Sequence, residues 1–308
     1  MRILITGASG LVGNKITALA QSQGHEVFGT YNVHASTGSR MRKVDLLDPL
    51  GVESVISETE PDVVINTASL TDVDRCEVDF DKALVVNGRV PGLIAKLCSQ
   101  FGSAMVQVST DYVFDGERGN YSEDDTPNPI NRYGKSKLEG ELQVAANSRD
   151  HCIARTSAVY GWGRSYKQDF ATWMLQRWSR SEEVRAVTDQ YVSPTLNTDL
   201  ARMLLEVAER RIRGTIHLSG RTRISRHGFA TLLAQRFAVN KSLIVPSRSD
   251  ALGWVARRPR DSSLDVSRAL EELDNKPVPI RAAIDEFLAE ARGSNFASAE
   301  PFTRSDRR

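Results

Sequence analysis

The chain has 308 residues, of which 40% are hydrophobic and 26% are charged, and its formal net charge at pH 7 is +1. A charge so close to zero creates no large field of one sign, which argues against a nucleic-acid partner or a membrane surface. No apolar stretch reaches the roughly 20 residues that a membrane-spanning helix needs. We therefore expect a soluble protein with one large domain or two smaller ones, whose partners have to be inferred from its sites.

The three cysteines Cys76, Cys98 and Cys152 are an odd number and form no Cys-x-x-Cys pair. Disulfide-stapled secreted domains carry even numbers of cysteines, and structural zinc sites use closely spaced thiol pairs. The pattern therefore predicts reduced thiols in a cytoplasmic protein, and no metal site follows from it.

The chain opens with a strand, a glycine-rich turn and a helix. The apolar run Ile3–Ile5 leads into glycines at positions 7, 10 and 13, and helical apolar spacing continues to Ala20. Such glycines allow a tight turn and close approach to a pyrophosphate, while the helix N-terminus supplies amide donors. The spacing Gly-x-x-Gly-x-x-Gly resembles that of short-chain dehydrogenases. The expected cofactor contacts in this turn are Gly7, Ser9, Gly10, Leu11, Val12 and Gly13.

The second predicted strand, Glu26–Thr30, ends where dinucleotide enzymes choose between a free ribose hydroxyl and a 2′-phosphate. An acidic residue there would favour NAD, but the stretch 31–40 contains no carboxylate. The stretch therefore favours NADP(H) over NAD(H), and the alternative is a surface loop whose polar side chains are simply solvated. The candidate cofactor contacts here are Tyr31, Asn32, Ser39 and Arg40, with His34 and Ser36 as further phosphate partners.

Two further strands lead to the same edge of the predicted sheet. Lys43–Leu46 is predicted as the third strand, in which Asp45, beside Leu46, could accept from the adenine amino group. Val63–Asn66 is predicted as the fourth, and the small residues at 67–69 follow it directly. Ligands of doubly wound sheets bind at the carboxyl ends of strands, so we expect these small residues to line the cofactor channel. They are Thr67, Ala68 and Ser69.

A helix with apolar spacing is predicted over residues 72–100, and the fifth strand over Ala104–Ser109. Asn87 falls in that helix, where it either faces the cofactor or serves as a surface or structural residue. The strand delivers Thr110, Asp111 and Tyr112 to the same sheet edge.

Tyr133 and Lys137 are separated by four positions, which places both side chains on one face of a helix. A nearby ammonium favours the phenolate, and lowering a tyrosine pKa from about 10 to about 7 takes roughly 4 kcal/mol. One lysine is too little for that, whereas an oxidised nicotinamide adds a second positive charge. The alternative to a catalytic pair is that Tyr133 and Lys137 lie on an ordinary exposed helix face. Asn131 is a candidate N-cap for this helix.

The sixth strand, His151–Thr156, completes a pattern of alternating strands and helices. This pattern predicts an α/β fold with a Rossmann-like, doubly wound parallel sheet. We expect a dinucleotide-binding domain over 1–157, with its sheet completed by strands within 184–218. Residues 158–292 are predicted to form a smaller, interleaved substrate region, and 293–308 a disordered tail.

Together these motifs resemble a known family. The glycine turn, Ser109-Thr110 and Tyr133-x-x-x-Lys137 are similar to the extended short-chain dehydrogenases that act on nucleotide sugars. The stretches 109–116 (STDYVFDG) and 129–141 (PINRYGKSKLEGE) resemble the dTDP-4-dehydrorhamnose reductase family within that group. Further similarity lies in 155–160 (RTSAVY), 189–195 (DQYVSPT) and 258–264 (RPRDSSL), so that it covers residues 1 to about 292.

The resemblance implies an NADP-dependent oxidoreductase with a catalytic trio. In this interpretation NADPH reduces the C4 ketone of a dTDP-6-deoxy-4-ketohexose, Tyr133 protonates the alkoxide, and Thr110 hydrogen-bonds the same oxygen. Lys137 would hold the nicotinamide ribose. The related dehydratases carry an Asp-Glu pair after the threonine, whereas here Tyr112 follows Asp111, which favours a simple reductase. The implied substrate contacts are Thr71, Asp111, Tyr112, Ser157, Ala158, Trp162, Gln190 and Arg258.

The chain departs from the family pattern at the sugar. Ala158 stands where the family usually has a tryptophan that stacks on the sugar, and Trp162 nearby is a candidate replacement. Ser69 stands where alanine is common. The alternatives are a non-catalytic NADP-binding subunit, similar to the partner of methionine adenosyltransferase, and a nucleotide-sugar epimerase with tightly held NAD. A homodimer is a possible assembly.

Overall fold

The computed structural model describes residues 1–34, 40–163 and 168–293. The strands are β1 (Arg2–Thr6), β2 (Glu26–Tyr31), β3 (Met41–Lys43), β4 (Val63–Asn66), β5 (Ala104–Thr110), β6 (His151–Thr156), β7 (Val159–Tyr160), β8 (Val184–Val187), β9 (Tyr191–Val192), β10 (Thr195–Leu196), β11 (Gly214–His217), β12 (Ile224–Ser225) and β13 (Ile244–Ser247). The α-helices are α1 (Leu11–Ser22), α2 (Pro49–Thr59), α3 (Val73–Val78), α4 (Phe80–Leu84), α5 (Val90–Phe101), α6 (Arg132–Asn147), α7 (Phe170–Ser179), α8 (Asn197–Glu209), α9 (Arg226–Arg236), α10 (Ser267–Glu272) and α11 (Ile280–Gly293).

The central sheet has seven parallel strands in the order β11-β6-β5-β4-β1-β2-β3. The predicted Rossmann-like, doubly wound fold is therefore confirmed. From β1 the chain adds β2 and β3 on one side and then returns to add β4 on the other side. The order of the strands therefore reverses between β1 and β4, and doubly wound sheets bind their ligands in the crevice at this switch point. The carboxyl ends of β1, β4 and β5 meet there.

Side chains of the central strands alternate between two apolar cores. Leu4 and Val64 face one side, where they share a core with residues of α2 and α5. Ile5 and Ile65 face the other side, where they pack with residues of α1 and α8. Because both faces are covered, the strands are continuous apolar runs, as parallel sheets require.

Two predicted elements differ from the structure. The third strand ends at Lys43 instead of Leu46, because the Val44 side chain turns into the core with α2 and the chain then enters a turn. The helix predicted over 72–100 is divided into α3, α4 and α5, with a π-helical turn at Val85–Arg89 between the last two. Asp72 and Asp79 each accept a backbone N–H at a helix start, which restarts the helix.

The second half of the chain contributes to the sheet and builds a second core. β11 joins the main sheet beside β6, whereas β8 pairs with β13 in a separate two-stranded sheet. Tyr160, Phe229 and Phe287 centre the second core and are fully buried. Gly293 ends α11, and the rest of the predicted tail lies outside the described residues. Among the helices that the structure describes, none is both long and apolar enough to cross a membrane.

Candidate active site

The glycine turn between β1 and α1 is as tight as its sequence predicts. Gly7 has φ +74°, a left-handed conformation that favours glycine, and the Gly10 N–H donates to its carbonyl oxygen at 2.9 Å. A Cβ on Gly13 would lie 2.4 Å from that same oxygen. Substituting Gly13 would therefore force the turn and the helix apart.

The N-terminus of α1 is open to a ligand. Gly10 is its N-cap, and neither a side-chain cap nor an acidic residue occupies the first turn. The first amides of a helix have no partners within the helix, and together with the helix dipole they favour an anion. The residues present thus fit the pyrophosphate of a dinucleotide.

A cavity of about 480 Å³ extends from this turn to the ends of β5 and β6. It brings together most of the residues predicted for catalysis and for the cofactor channel. From the predicted set, the lining contains Gly10, Leu11, Val12, Gly13, Thr67, Ser69, Thr71, Thr110, Asp111, Tyr112, Tyr133, Lys137 and Ala158. The lining residues that sequence analysis missed are Val73, Val108, Ser109, Thr156, Val159, Gln168, Asp169 and Arg226.

Helix α6 positions Tyr133 at the edge of the sheet. Asn131 caps the helix by accepting the Gly134 N–H at 2.8 Å, as predicted. Tyr133 is 9% exposed and packs edge-on against Tyr112, with ring centroids 5.9 Å apart. Burial raises the pKa of Tyr133 above its ordinary value, and a hydrogen bond with Thr110 opposes the shift. The phenol is therefore protonated at neutral pH.

Lys137 lies one turn further along α6, 4% exposed. Its ammonium donates to the Val108 carbonyl oxygen at 2.8 Å. Burial lowers the pKa of Lys137 to about 8, and the nearby charge of Glu141 opposes this. Burial thus has the largest influence on the pKa of both groups, and the ammonium is bound to β5.

A buried ion pair supports this face of α6. Glu141 receives two N–H groups of Arg155, with Nη2 to Oε2 at 2.7 Å and Nε to Oε1 at 3.0 Å, and the Ser109 hydroxyl also donates to it. The two charged side chains are 4% and 6% exposed. The pair ties α6 to β5 and β6 directly behind Lys137.

The Asp111 carboxylate is hydrogen-bonded by other side chains of the protein. It receives the hydroxyl groups of Thr110 at 3.1 Å, of Ser157 at 2.8 Å and of Ser262. Burial raises the pKa of Asp111, and these hydroxyl groups oppose the shift. Ser157 is 1% exposed and its hydroxyl is occupied, so its predicted substrate contact is replaced by a role in holding Asp111.

Comparison with known proteins identifies the family. Residues 1–292 match the family model described as the RmlD substrate binding domain. The chain belongs to this family. The RmlD-family chain is 36% identical over 278 residues to the probable low-salt glycan biosynthesis reductase Agl14 of Haloferax volcanii, covering 89% of the chain and 92% of the relative. It is 33% identical over 295 residues to methionine adenosyltransferase 2 subunit beta of Bos taurus, covering 93% and 87%.

Solved structures agree with this assignment. The dTDP-4-dehydrorhamnose reductase of Bacillus anthracis, in complex with NADP, superimposes with a TM-score of 0.84 at 29% identity, covering 94% of this chain and 99% of that one. The resemblance to the dTDP-4-dehydrorhamnose reductase family is therefore confirmed.

Trp162 does not take the place of the family tryptophan in this RmlD-family chain. Its indole N–H donates to the Phe287 carbonyl oxygen at 2.7 Å, and its ring stacks on that of Phe287 with centroids 4.6 Å apart. The side chain thus belongs to the second core, which contradicts the predicted sugar contact. Ala158, with φ +42°, lines the cavity with its small side chain.

Gln190 and Asn87 lie behind the cavity. Gln190 donates to the Tyr112 hydroxyl at 3.2 Å and is 2% exposed, so it acts on the cavity through Tyr112. The Asn87 side chain accepts from Ser69 Oγ and Leu70 N, and donates to Leu70 O and Ser136 Oγ, at 2.8–3.0 Å. Of the two predicted roles of Asn87, the structure shows the structural one.

The adenosine end differs from prediction at Arg40. Its guanidinium pairs with Glu26 and covers the Phe28 ring, which points it toward the start of β2 and away from the ribose end. The ladder instead pairs Lys43 with Tyr31 at the carboxyl ends of β3 and β2. Lys43 is exposed and forms no ion pair within the residues described. Ser39 and Ser36 lie outside them.

The other cofactor candidates lie near the same end. The Asp45 carboxylate accepts the Leu47 N–H at 3.0 Å, and Leu46 packs against the core with α2. The Ala68 backbone lies against Gly7, where a Cβ on the glycine would approach it to 2.9 Å. Asn32 follows β2, and Ser9 lies within the glycine turn.

Arg258 lines a second cavity, of about 670 Å³, together with Trp254, Arg257 and Arg260. Its guanidinium pairs with Asp74 at 3.0 Å and lies 5.3 Å from the centre of the Trp254 ring. The structure therefore separates Arg258 from the cavity of Tyr133.

Proposed function

We propose that the chain reduces the C4 ketone of a nucleotide-linked 6-deoxy-4-ketohexose with NADPH, converting dTDP-4-dehydro-L-rhamnose into dTDP-L-rhamnose. The observation that carries this proposal is the single cavity in which the open glycine turn meets Thr110, Tyr133 and Lys137. A cofactor seated on that turn and a sugar beside the tyrosine would share one space.

The residues divide the work of a ketone reduction. When bound, NADPH supplies the hydride for C4. Tyr133, protonated at neutral pH, donates its proton to the C4 oxygen. The Thr110 hydroxyl, which otherwise donates to Asp111 at 3.1 Å, would turn to hydrogen-bond the same oxygen. Lys137, one turn further along α6, would hold the nicotinamide ribose. The reducing direction requires a protonated donor, and the Tyr133 phenol is protonated at neutral pH. A positive charge beside it would make it a stronger acid, because a general acid works best with a pKa near the working pH.

The surroundings of Asp111 favour reduction over dehydration. A dehydratase has to protonate a leaving hydroxyl with a free acid. Here the Asp111 carboxylate is occupied by three hydroxyl groups, and the next residue, Tyr112, carries no carboxylate. The cavity thus offers Tyr133 as its proton donor.

NADPH is proposed over NADH because the exposed Lys43 pairs with Tyr31 at the carboxyl end of β2, the strand end at which dinucleotide enzymes bind the ribose, with no carboxylate among the described residues of 31–40. An ammonium at this position would attract the phosphate and would gain nothing from a neutral ribose hydroxyl. The Bacillus anthracis relative in complex with NADP supports this choice. The cytoplasmic location and the homodimer stay predictions.

The test is NADPH oxidation in the presence of dTDP-4-keto-6-deoxyglucose and the 3,5-epimerase. We expect turnover by the wild type and a loss of about 10²- to 10⁴-fold in Tyr133→Phe, the usual contribution of a general acid. NADPH binding, followed by fluorescence, should be unchanged in that variant because the ring is kept. Absence of turnover by a wild type that binds NADPH would contradict the proposed reaction.

The similarity to methionine adenosyltransferase 2 subunit beta supports a second candidate, a cofactor-binding regulatory subunit. Co-purification with a methionine adenosyltransferase, together with no reductase activity, would favour it. Release of tightly held NAD on denaturation would instead indicate an epimerase.

A further inference from the structure

Arg226 brings a positive charge into the cavity from the substrate side. It is the first residue of α9, and its backbone N–H donates to the Gln190 carbonyl oxygen at 3.0 Å. Its guanidinium lies 4.8 Å from the centre of the Phe170 ring. The half-buried side chain lines the same cavity as Tyr133 and Lys137.

The donors of this guanidinium are largely unused by the protein. Among the described residues Arg226 forms no ion pair, and its side-chain hydrogen bond is a long one, from Nε to Gln190 Oε1 at 3.4 Å. Nη1 and Nη2 donate to none of the described residues. A guanidinium presents its donors as a planar fork that matches the oxygens of a carboxylate or phosphate.

The carboxylates that line the cavity do not neutralise Arg226 directly. Asp169 accepts the N–H groups of Ala171 and Thr172 at 2.8 and 3.2 Å and thereby caps α7. The Asp111 carboxylate is held by three hydroxyl groups, and the charge of Arg226 acts on it only as a modest influence that lowers its pKa. The competing interpretation is that Arg226 serves to balance this buried charge.

We propose that Arg226 is a substrate-binding residue whose guanidinium binds the diphosphate of the nucleotide sugar. This proposal rests on the proposed function. The small Ala158 side chain lies in the same lining.

The test is calorimetric titration of the NADP⁺-loaded protein with dTDP, dTDP-glucose and dTDP-glucuronate. The variant is Arg226→Gln. The matched control is Arg236→Gln, which removes a positive charge from the same helix at a position paired with Asp285 at 3.1 Å. If Arg226 binds the diphosphate, Arg226→Gln should lose about 10- to 100-fold in affinity for all three ligands. A loss confined to dTDP-glucuronate would indicate that Arg226 binds a sugar carboxylate, which a 6-deoxyhexose lacks, and would overturn this proposal.

Affinities within about twofold of the wild type for all three ligands would overturn the role of Arg226 and leave charge balance as its function. A wild type that binds NADP⁺ but none of the three nucleotides would instead overturn the proposed function, and this proposal with it. Should Arg226→Gln fail to fold, Arg226→Lys replaces it, because lysine keeps the charge and loses the planar fork. In that variant a loss of about tenfold supports the proposal, and a change below about twofold overturns it.

Discussion

Replacing Glu141 with glutamine should weaken the fold and shift the pH dependence of catalysis together. The variant leaves the guanidinium of Arg155, 6% exposed, without its counter-charge. Stranding one member of a buried ion pair costs about 3–5 kcal/mol, a large share of the roughly 5–15 kcal/mol by which domains are stable. Urea unfolding would measure the loss. The double variant with Arg155→Met should recover part of it, since no unpaired charge then remains.

The same substitution should act on Lys137. Burial lowers the pKa of Lys137 and the charge of Glu141 raises it, so that the resulting pKa is about 8. Without the carboxylate the pKa falls further, so the decline of kcat/KM for NADPH at high pH should begin at lower pH. Glu139→Gln, two residues earlier on α6 and bonded to Gln143, is the matched control. A loss below about 1 kcal/mol, or a decline that stays in place or moves to higher pH, would refute the reasoning.

Three further substitutions test the cofactor end and the second core. Lys43→Met should weaken NADPH binding about tenfold or more, because it removes one charged hydrogen bond to the 2′-phosphate, and should leave NADH binding unchanged. The control is Arg42→Met, which breaks an ion pair with Glu58 on the opposite face and should alter neither affinity. Gly13→Ala should weaken the binding of both cofactors roughly tenfold or more, because its Cβ would lie 2.4 Å from the Gly7 carbonyl oxygen. Cofactor affinities equal to those of the wild type would contradict this. Trp162→Phe should lower stability by about 1–2 kcal/mol through the lost hydrogen bond, with the KM for the nucleotide sugar unchanged, whereas a raised KM would restore its predicted sugar contact.

Features set by near neighbours were predictable from the sequence. The tightness of the glycine turn depends on Gly7 and Gly13, six positions apart, and the start of α6 depends on Asn131 and an amide three residues later. The pairing of strands into a parallel sheet followed from their spacing and apolar character. The contacts of the glycine turn and of the start of α6 lie within a few residues of each other in the chain.

Features set by distant partners were not predictable. Trp162 packs in the second core because it stacks on and hydrogen-bonds Phe287, which lies 125 positions away in the chain. No residue near Trp162 in the sequence indicates this packing. Arg226 lines the cavity and is held there by partners distant in sequence, among them the Gln190 carbonyl oxygen, which accepts its backbone N–H. The spacing of Tyr133 and Lys137 indicated a shared face, but it could not indicate that both side chains would be buried or that the ammonium would bind the Val108 carbonyl oxygen.

The hydroxyl groups around Asp111 also constrain how the protein can move. Thr110 ends β5, Ser157 follows β6, and Ser262 comes from the segment that crosses to the substrate side. Rotating that segment away from the sheet would strip a buried carboxylate of donors, and unmet buried acceptors are costly. The sheet and the segment that carries Ser262 are therefore held together at Asp111. The side chain of Tyr133, the proposed proton donor, is therefore ordered when the protein folds, and its alignment costs no further entropy when a ligand binds.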